Sequence, residues 1–386
     1  MKIRSLTAAC AVLVLPLAAC SLTEDNDPAS SSSNKISVTS SDDACDVSAT
    51  KAKSGPVSFS VKNTGDKVTE FYLYGDDGLR IVGEVENIGP GLTRDLVLTA
   101  QPGTYFTACK PGMIGKGIRS AFTVSDSGKD TSIAGVDQTT IDTALTQYAS
   151  YVKDQSSQLV ADTQAFVDAY KAGDDDKARE LFPQARTHWE GIETVAESFG
   201  DLDPLTDLRE ADLEPGQKWT GWHRIEKDLW PPAAGYAVLT PAQRAVFADD
   251  LMKNITTLNT RVPALTYTVD QIANGSKGLL DEVATGKITG EEDIWSHTDL
   301  WDFQANVDGA KVGYETLKPL LDVKDKELST TLASRFAALQ ALLDKYKKGD
   351  GFVFYDTVTE QQRQQLSDAV NALSEPLSKM AGALTL

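Results

Sequence analysis

Histidine is scarce in this 386-residue chain, which has only three, and the first of them is His188. Residues 1–187 therefore cannot form a blue-copper site, because such a site needs two imidazole ligands. Basic residues are also in short supply, with 37 Lys and Arg against 56 Asp and Glu, for a net charge of −19. An acidic surface of this kind repels nucleic acid and anionic lipid head groups, and it concentrates cations.

Long hydrophobic runs are absent beyond residue 19, so no later segment is predicted to cross a membrane. Lys2 and Arg4 precede an apolar stretch that ends at Ala19, which is typical of a signal peptide over 1–19. The run LAAC, Leu17 to Cys20, resembles a bacterial lipobox, which implies cleavage before Cys20 and acylation of this residue. We therefore expect an extracytoplasmic protein, lipid-anchored to the outer face of the bacterial cell membrane, with a lipidated Cys and flexible tether over 20–36.

Residues 37–126 show the period-two alternation of strands rich in Val, Phe, Tyr and Thr, separated by Gly- and Pro-containing turns. Six or more short strands in about 90 residues predict an all-β sandwich. The strand order, with GTYFTACKPGM near the end, resembles the cupredoxin fold. In that family a Cys and a downstream Met flank the loop before the last strand, and Cys109 and Met113 match those positions.

Two interpretations of Cys45 and Cys109 follow. In an exported protein, two cysteines in one small domain most often form a disulfide. The alternative is a modified metal site formed by Cys45, Cys109, Met113 and a carboxylate such as Glu70, which would favour copper. Without a histidine, a blue-copper electron-transfer site is excluded in this domain.

The linker 127–136 leads to residues 137–386, where the hydrophobic period becomes helical and predicts an all-α bundle. Helices are expected over about 137–171, 175–199 and 326–347, and another is expected to open at Thr240. The spacing of Thr289 with Glu292, and of Thr357 with Glu360, is that of a capping box and predicts two further helix starts.

Three short segments of this region hold every His and every Trp in the protein: HWEGIE, WTGWHRIEKDLWPP and WSHTDLWD. In the second, His223 and Glu226 are three residues apart. On a helix this spacing puts both side chains on one face, with Cβ atoms roughly 5–6 Å apart. An imidazole and a carboxylate placed in this way can share a metal ion or a proton.

Carboxylates flank the same segments. Glu190 and Glu193 lie on one stripe of the predicted second helix, an acidic connection that includes Asp207 follows, and GEED supplies Glu291 and Glu292. Metal sites in helical bundles are commonly built from Glu and His on facing helices. Oxygen ligands with one added His suit iron, manganese or zinc.

The run WTGWHRIEKDLW, with WEGIETVAESFGDLDP and SHTDLWDFQANVDGA, resembles the EfeO branch of the imelysin-like family over almost the whole chain. The resemblance implies an extracytoplasmic iron-binding protein that binds Fe2+ or Fe3+ and works with a ferric permease in the membrane and a haem-containing peroxidase. Carried over to this sequence, the family's metal ligands are Glu190, Glu193, Asp207, His223, Glu226 and either Glu291 or Glu292.

Two other functions compete with metal transport. The imelysin-like family carries a peptidase label because of its HxxE motif, but a zinc protease normally needs a second His, and Lys227 follows Glu226 here. The other alternative is an acidic surface adaptor without metal. We expect a binding protein with no catalytic residues, and with copper or zinc as the less favoured ions.

Overall fold

The computed structural model describes residues 34–76, 78, 81–113, 115–128, 133, 135–233 and 235–385. The predicted signal peptide, the lipidation site Cys20 and most of the predicted tether lie outside these residues. From Asn34 onward the chain forms one compact unit. The first strand already begins at Asn34, before the sandwich boundary predicted at residue 37. Within the part of the chain that is described, none of the helices is both long and apolar enough to span a bilayer.

The N-terminal part is a β-sandwich, as the alternating pattern predicts. One sheet has the strand order β2-β1-β4-β7 and the other has the order β3-β9-β8-β5-β6. Alternate side chains of β4, such as Val57 and Phe59, are buried between the sheets, and Phe59 packs against Phe71 and Phe122. The strands are β1 Asn34–Ser40, β2 Cys45–Val47, β3 Lys51–Lys53, β4 Gly55–Asn63, β5 Thr69–Tyr74, β6 Ile81–Ile88, β7 Thr93–Ala100, β8 Gly103–Cys109 and β9 Ile118–Ser125.

A disulfide joins Cys45 of β2 to Cys109 at the end of β8. Both sulfurs are therefore bonded to each other, and no thiolate is left to hold a metal. The predicted alternative of a site formed by Cys45, Cys109, Met113 and Glu70 is not formed in this structure. The carboxylate of Glu70 instead accepts a hydrogen bond from the hydroxyl of Tyr72 at 2.8 Å.

The C-terminal part is the predicted helical bundle. The first helix is bounded as expected, since Asp137 caps its N-terminus and Gly173 ends it in a left-handed conformation (φ 76°). The helices are α1 Gln138–Ala172, α2 Asp175–Ile192, α3 Asp203–Thr206, α4 Trp222–Leu229, α5 Pro241–Arg261, α6 Val269–Thr285, α7 Asp299–Lys324, α8 Lys326–Leu343, α9 Glu360–Leu377 and α10 Met380–Thr385. A short hairpin, β10 Lys347–Lys348 with β11 Gly351–Phe352, follows α8.

Several helix boundaries differ from the prediction, among them the end of α8, which is Leu343 rather than residue 347. The second helix stops at Ile192 and continues as a 3-10 segment, Glu193–Leu202, which Gly200 breaks with a φ of 66°. No helix begins at the predicted capping box of Thr289 and Glu292, because residues 291–298 form turns and α7 starts at Asp299. The box near residue 357 lies two residues later, between Thr359 and Gln362.

Helix α6 packs against the sandwich and joins the two parts. Asn274 donates a hydrogen bond to the carbonyl oxygen of Val97 at 2.8 Å, and Asp270 accepts one from the backbone N–H of Thr99 at 3.2 Å. On the other side of α6, a Cβ at Gly275 would lie only 1.9 Å from the carbonyl oxygen of Thr194. This close approach fixes α6 against the 3-10 segment that follows α2, and so places the sandwich beside the candidate site.

Candidate metal centre

Four separate segments bring polar side chains to one buried point of the bundle: the end of α2, the turn after α3, the helix α4 and the region 287–306. We call this set the central cluster. Its acidic and imidazole members are Glu190, Glu193, Asp207, His223, Glu226, Glu292, Asp293 and Asp302.

Helix α4 depends on a glycine immediately before it. Gly221 has a φ of 87°, and a Cβ there would lie 2.0 Å from the carbonyl oxygen of Thr206. Only glycine fits this turn, which presses the start of α4 against the end of α3. As a result His223, on the first turn of α4, comes close to Asp207, which directly follows α3.

His223 is fully buried and its two ring nitrogens face different partners. Nδ1 lies 3.1 Å from Oε2 of Glu226, the other half of the HxxE motif. Nε2 lies 3.3 Å from Oδ1 of Asp207 and 3.4 Å from Oε1 of Glu292, yet neither contact has hydrogen-bond geometry, so this nitrogen has no such partner among the described residues. One nitrogen and two carboxylate oxygens thus lie together, which is the donor set of a metal site, and the same two oxygens also accept hydrogen bonds from the guanidinium of Arg186.

Glu226 is fixed by its neighbours rather than open to solvent. Its Oε1 accepts hydrogen bonds from the backbone N–H groups of Trp295 (3.0 Å) and Ser296 (2.8 Å) and from the hydroxyl of Ser296 (2.9 Å). A carboxylate that accepts from Nδ1 orients the ring and leaves Nε2 as the ligand atom, an arrangement found around metal-binding histidines. Glu226 is therefore placed to position His223.

Two cationic side chains sit inside the central cluster, and the sequence did not lead us to expect them. The guanidinium of Arg186 is completely buried and contacts Glu190, Asp207 and, at 3.1 and 3.2 Å, Glu292 and Asp302. Burial opposes its charge, but the charges of Asp207, Asp302, Glu190 and Asp293 raise the pKa of Arg186 well above its ordinary value. The planar guanidinium group has five N–H donors and can therefore bind several carboxylates at once.

Lys287 is the second buried cation. Its Nζ lies 2.8 Å from Oε2 of Glu190 and 2.8 Å from Oε2 of Glu193. The side-chain amide of Asn306 donates to the same two oxygens at 2.9 Å each. Glu190 is therefore shared between an arginine, a lysine and an amide, which explains how it is accommodated with no exposed surface.

Acidic groups outnumber basic groups in the central cluster, where seven carboxylates face the buried cations Arg186 and Lys287 and, 3.7 Å from Glu292, the more exposed Arg209. Burial and the charge of Glu190 raise the pKa of Glu193, and burial and the charge of Glu226 raise the pKa of Asp293. This surplus of negative charge favours either bound protons or a further cation.

Asp207, Glu292 and His223, in contrast, favour their charged forms. Burial alone would raise the pKa of both acids, but Arg186 holds the pKa of Asp207 below its ordinary range and Lys287 does so for Glu292. Burial and Arg186 oppose the charged form of His223, yet the carboxylates around it raise its pKa well above its ordinary value. The acids closest to Nε2 are therefore ionised, and a cation that binds there displaces a proton from the ring.

The geometry separates the two acids of the GEED segment. Glu292 is 5% exposed and belongs to the central cluster, whereas Glu291 points outward and pairs with Arg209 at 2.7 Å. Three overlapping groups have ligand atoms within 4.8 Å of one another: Asp207, His223 and Glu292; His223, Glu226 and Asp293; and Glu190, Glu292 and Asp302. With an imidazole nitrogen among them that has no hydrogen-bond partner in the described part of the chain, these residues fit a bound metal ion.

A cavity of about 290 Å3 connects the central cluster with the β-sandwich. Its walls include Glu86 and Met113 from the sandwich, and Asp203, Glu282 and Lys287 from the helical part. The predicted second-site residue Met113 thus lies on this wall, 40% exposed, whereas Cys45 and Cys109 are bonded to each other. The cavity offers a path for a small ion between the surface and the buried cluster.

Comparison with known proteins agrees with both parts of the fold. Residues 144–380 match the family model described as imelysin, and residues 9–124 match that of a cupredoxin-like domain. The chain belongs to the imelysin family. Two relatives are each named iron uptake system component EfeO: the protein of Escherichia coli O157:H7 is 36% identical and that of Shigella flexneri 35%, each over 91% of this chain and 92% of the relative. The chain therefore belongs to the EfeO group of this family.

A solved structure shares the fold of about two thirds of this chain at low sequence identity. It is described as a candidate iron-regulated protein A precursor from Parabacteroides distasonis, and it is 14% identical with a TM-score of 0.50. The match covers 66% of this imelysin-family chain and 98% of that one. At this level of identity the likeness concerns the fold alone.

Several residues of the site escaped the sequence-based prediction. Arg186 lies four residues before Glu190, a spacing that could have signalled an ion pair on one helix face. Asp302 and Asp293 lie in segments already rich in acid, and nothing in those segments separates them from their exposed neighbours. Lys287 carries no local signal, because its partners are far away in the sequence.

Asp203, on the cavity wall, supplies a stability test with a defined sign. Burial and Asp207 raise its pKa to about 7, compared with 3.8 for the ordinary group. The folded state therefore keeps a proton that the unfolded state loses, and stability falls as pH rises from about 4 to about 7. We expect Asp203→Asn to raise the free energy of unfolding by about 1–3 kcal/mol at pH 8 and to change it little at pH 4.

Chemical denaturation at both pH values measures this difference. Asp201→Asn is the matched control, because Asp201 is exposed and pairs with Arg261, which lowers its pKa. The control should gain nothing at pH 8. Equal stability of Asp203→Asn and wild type at both pH values would contradict the expectation.

Proposed function

We propose that this chain is the extracytoplasmic iron-binding component of an iron uptake system, which captures iron at the central cluster and passes it to a membrane permease. The observation that supports this most directly is Nε2 of His223, buried, without a hydrogen-bond partner among the described residues, and facing Asp207 and Glu292. The names of the EfeO relatives supply the choice of iron among the metals that suit such ligands.

Capture and release follow from the charges of the site. Carboxylates that share protons in the empty protein lose them when a multiply charged cation enters, so iron binding is expected to release protons and to weaken as pH falls. Lipidation at Cys20 would keep the protein near the permease, with residues 20–36 as the tether. A haem-containing peroxidase is the third component that we propose for this system.

A hydrolytic function is not supported by the geometry. A general base must reach a water molecule or a substrate proton. Both oxygens of Glu226 are instead occupied, one by three donors of residues 295–296 and the other by the ring of His223. Each of the three metal-ligand groups among the described residues contains at most one histidine, whereas HxxEH and HExxH zinc sites use two.

Iron content after equilibrium with a weak chelator tests the proposal. The purified wild-type protein is loaded with ferric nitrilotriacetate or with ferrous iron under anaerobic conditions, separated from free iron and analysed for metal. We expect wild type to retain iron and Glu190→Ala/Glu193→Ala to lose it, because two carboxylates of the cluster are removed. Equal iron in the two samples, or no iron in wild type, would refute the proposed function.

A casein or peptide assay addresses the alternative activity on the same samples. We expect no cleavage by wild type, whatever metal is added. Cleavage that disappears in His223→Ala would establish the peptidase in place of the transport component.

A further inference from the structure

The ammonium of Lys287 binds carboxylates that belong to the central cluster. Its Nζ lies among three carboxylates, 2.8 Å from Glu190, 2.8 Å from Glu193 and 3.8 Å from Glu292. Both Glu190 and Glu193 were predicted from the sequence as metal ligands. The same oxygens cannot fully coordinate a metal ion while they bind an ammonium at hydrogen-bond distance, so the two cations compete.

The two buried cations differ in how firmly they are held. Arg186 projects from the middle of α2, has no exposed surface, and its guanidinium contacts carboxylates from several segments. Lys287, by contrast, begins a short 3-10 segment, Lys287–Thr289, between Gly286 and Gly290. Tyr355 and Arg363 donate hydrogen bonds to the carbonyl oxygens of Ile288 and Thr289, so a movement of Lys287 concerns its side chain, which is bound by fewer carboxylates than the guanidinium of Arg186.

The cavity beside Lys287 gives its side chain room to move away from Glu190 and Glu193. Lys287 lies on the wall of the 290 Å3 cavity, and Glu282 and Glu86 line the same cavity. Glu282 is close enough to interact electrostatically with Lys287 in the present conformation. A rotation of the flexible lysine side chain into the cavity would therefore leave its charge beside another carboxylate rather than alone in a buried place.

We infer that Lys287 is a displaceable counter-cation, which holds Glu190 and Glu193 together in the empty protein and moves into the cavity when iron enters. This inference rests on the proposed function. Lys287 then acts as a positioning residue that sets affinity and specificity. When iron replaces the ammonium, the carboxylates face two or three positive charges instead of one, so a divalent or trivalent ion can displace Lys287. Sodium and potassium carry only one charge and are not expected to displace it. Its return to the two carboxylates favours release.

Chemical labelling of lysine amines tests the movement in the wild-type full chain. Lys287 is only 5% exposed in this structure and paired, so acetylation by sulfo-N-hydroxysuccinimide acetate should be slow in the iron-free protein. After loading with ferric nitrilotriacetate we expect the labelling rate of Lys287, measured by peptide mass spectrometry, to rise at least fivefold. Lys318, which is exposed and pairs with Asp322, serves as the internal reference. An unchanged or lower rate in iron-loaded protein would overturn the inference.

Substitution tests the competition independently. Lys287→Gln keeps hydrogen-bond donors but removes the charge, so we expect iron to bind at least tenfold more tightly and to dissociate more slowly. Lys318→Gln, on the surface, should leave the dissociation constant unchanged. Equal or weaker binding by Lys287→Gln contradicts the inference while wild-type iron binding still supports the proposed function. If wild type binds no iron, the proposed function itself fails. If Lys287→Gln does not fold, the labelling experiment on the wild-type protein still tests whether Lys287 moves when iron binds.

Discussion

Replacement of His223 by glutamine is expected to weaken iron binding by more than a hundredfold, the largest effect of any conservative substitution at the site. The change removes the one imidazole nitrogen that faces Asp207 and Glu292 at 3.3 and 3.4 Å. Loss of even an outer partner of a metal ligand typically costs about 10- to 100-fold in affinity, and loss of the ligand itself costs more. Isothermal titration with ferric nitrilotriacetate, or competition with a chelator of known affinity, measures the change.

His188→Gln is the matched control for this experiment. His188 is close in sequence to the site but binds Gln155 at 2.9 Å and Asp162 at 3.0 Å through its two ring nitrogens, away from the central cluster. It should bind iron like wild type. If His188→Gln and His223→Gln lose the same affinity, the effect is on folding rather than on ligation, and the assignment of Nε2 as a ligand is wrong.

The Glu226→Gln variant keeps the imidazole ring of His223 and tests whether its orientation and tautomer matter for iron binding. The glutamine oxygen can still accept from the N–H groups of Trp295 and Ser296, which leaves its NH2 group toward Nδ1 of His223. The proton of a neutral ring would then sit on Nε2 and block the ligand position. We expect iron affinity to fall by about 10- to 100-fold while stability changes little.

Replacement of Arg186 by methionine is expected to lower the free energy of unfolding by about 3–5 kcal/mol, which is the usual cost of removing one partner of a buried ion pair. The guanidinium is fully buried among acids on α2, α7 and the turns between them, and methionine leaves those acids without their main counter-charge. Denaturation with urea at pH 7 measures the loss. Because protonation would neutralise the same acids, the loss should shrink as pH falls.

Arg261→Met supplies the control. Arg261 pairs with Asp201 on the surface, where a single ion pair contributes only about 0–1 kcal/mol. Iron added in excess should stabilise Arg186→Met, since a ligand that binds only the folded state raises stability by mass action. A loss no greater than in Arg261→Met would show that Arg186 is dispensable for holding the central cluster together.

Much of the fold follows from local patterns in the sequence. The alternation of Val57, Phe59 and Val61 is sufficient to predict a sandwich strand with one buried face, and that prediction is confirmed. Asp137 and Gly173 mark both ends of the first helix for the same reason, since capping involves only residues near the helix terminus.

The helix predicted to start at Thr289 is not formed, which shows that a capping-box pattern does not always start a helix. Glu292 has the spacing of a capping residue, but its carboxylate is instead bound by Arg186 from α2 at 3.1 Å. A contact of this kind, over more than a hundred residues of chain, outweighs a capping preference of about 0.5–2 kcal/mol. The capping-box spacing is present in the sequence, but the contact between Arg186 and Glu292 outweighs it.

The order of residues alone determined that His223 and Glu226 share one face of a helix, that the chain ends in a bundle, and that acids surround this motif. Only the tertiary structure decided which acids meet and what neutralises them. Arg186 reaches Glu190 from the preceding turn of α2, whereas Lys287, 97 residues after Glu190, reaches it only because α7 packs against both α2 and α6 and so positions the turn that carries Lys287. Charge balance at a buried site is a property of all the groups within a few ångströms, and sequence spacing records only those on the same element.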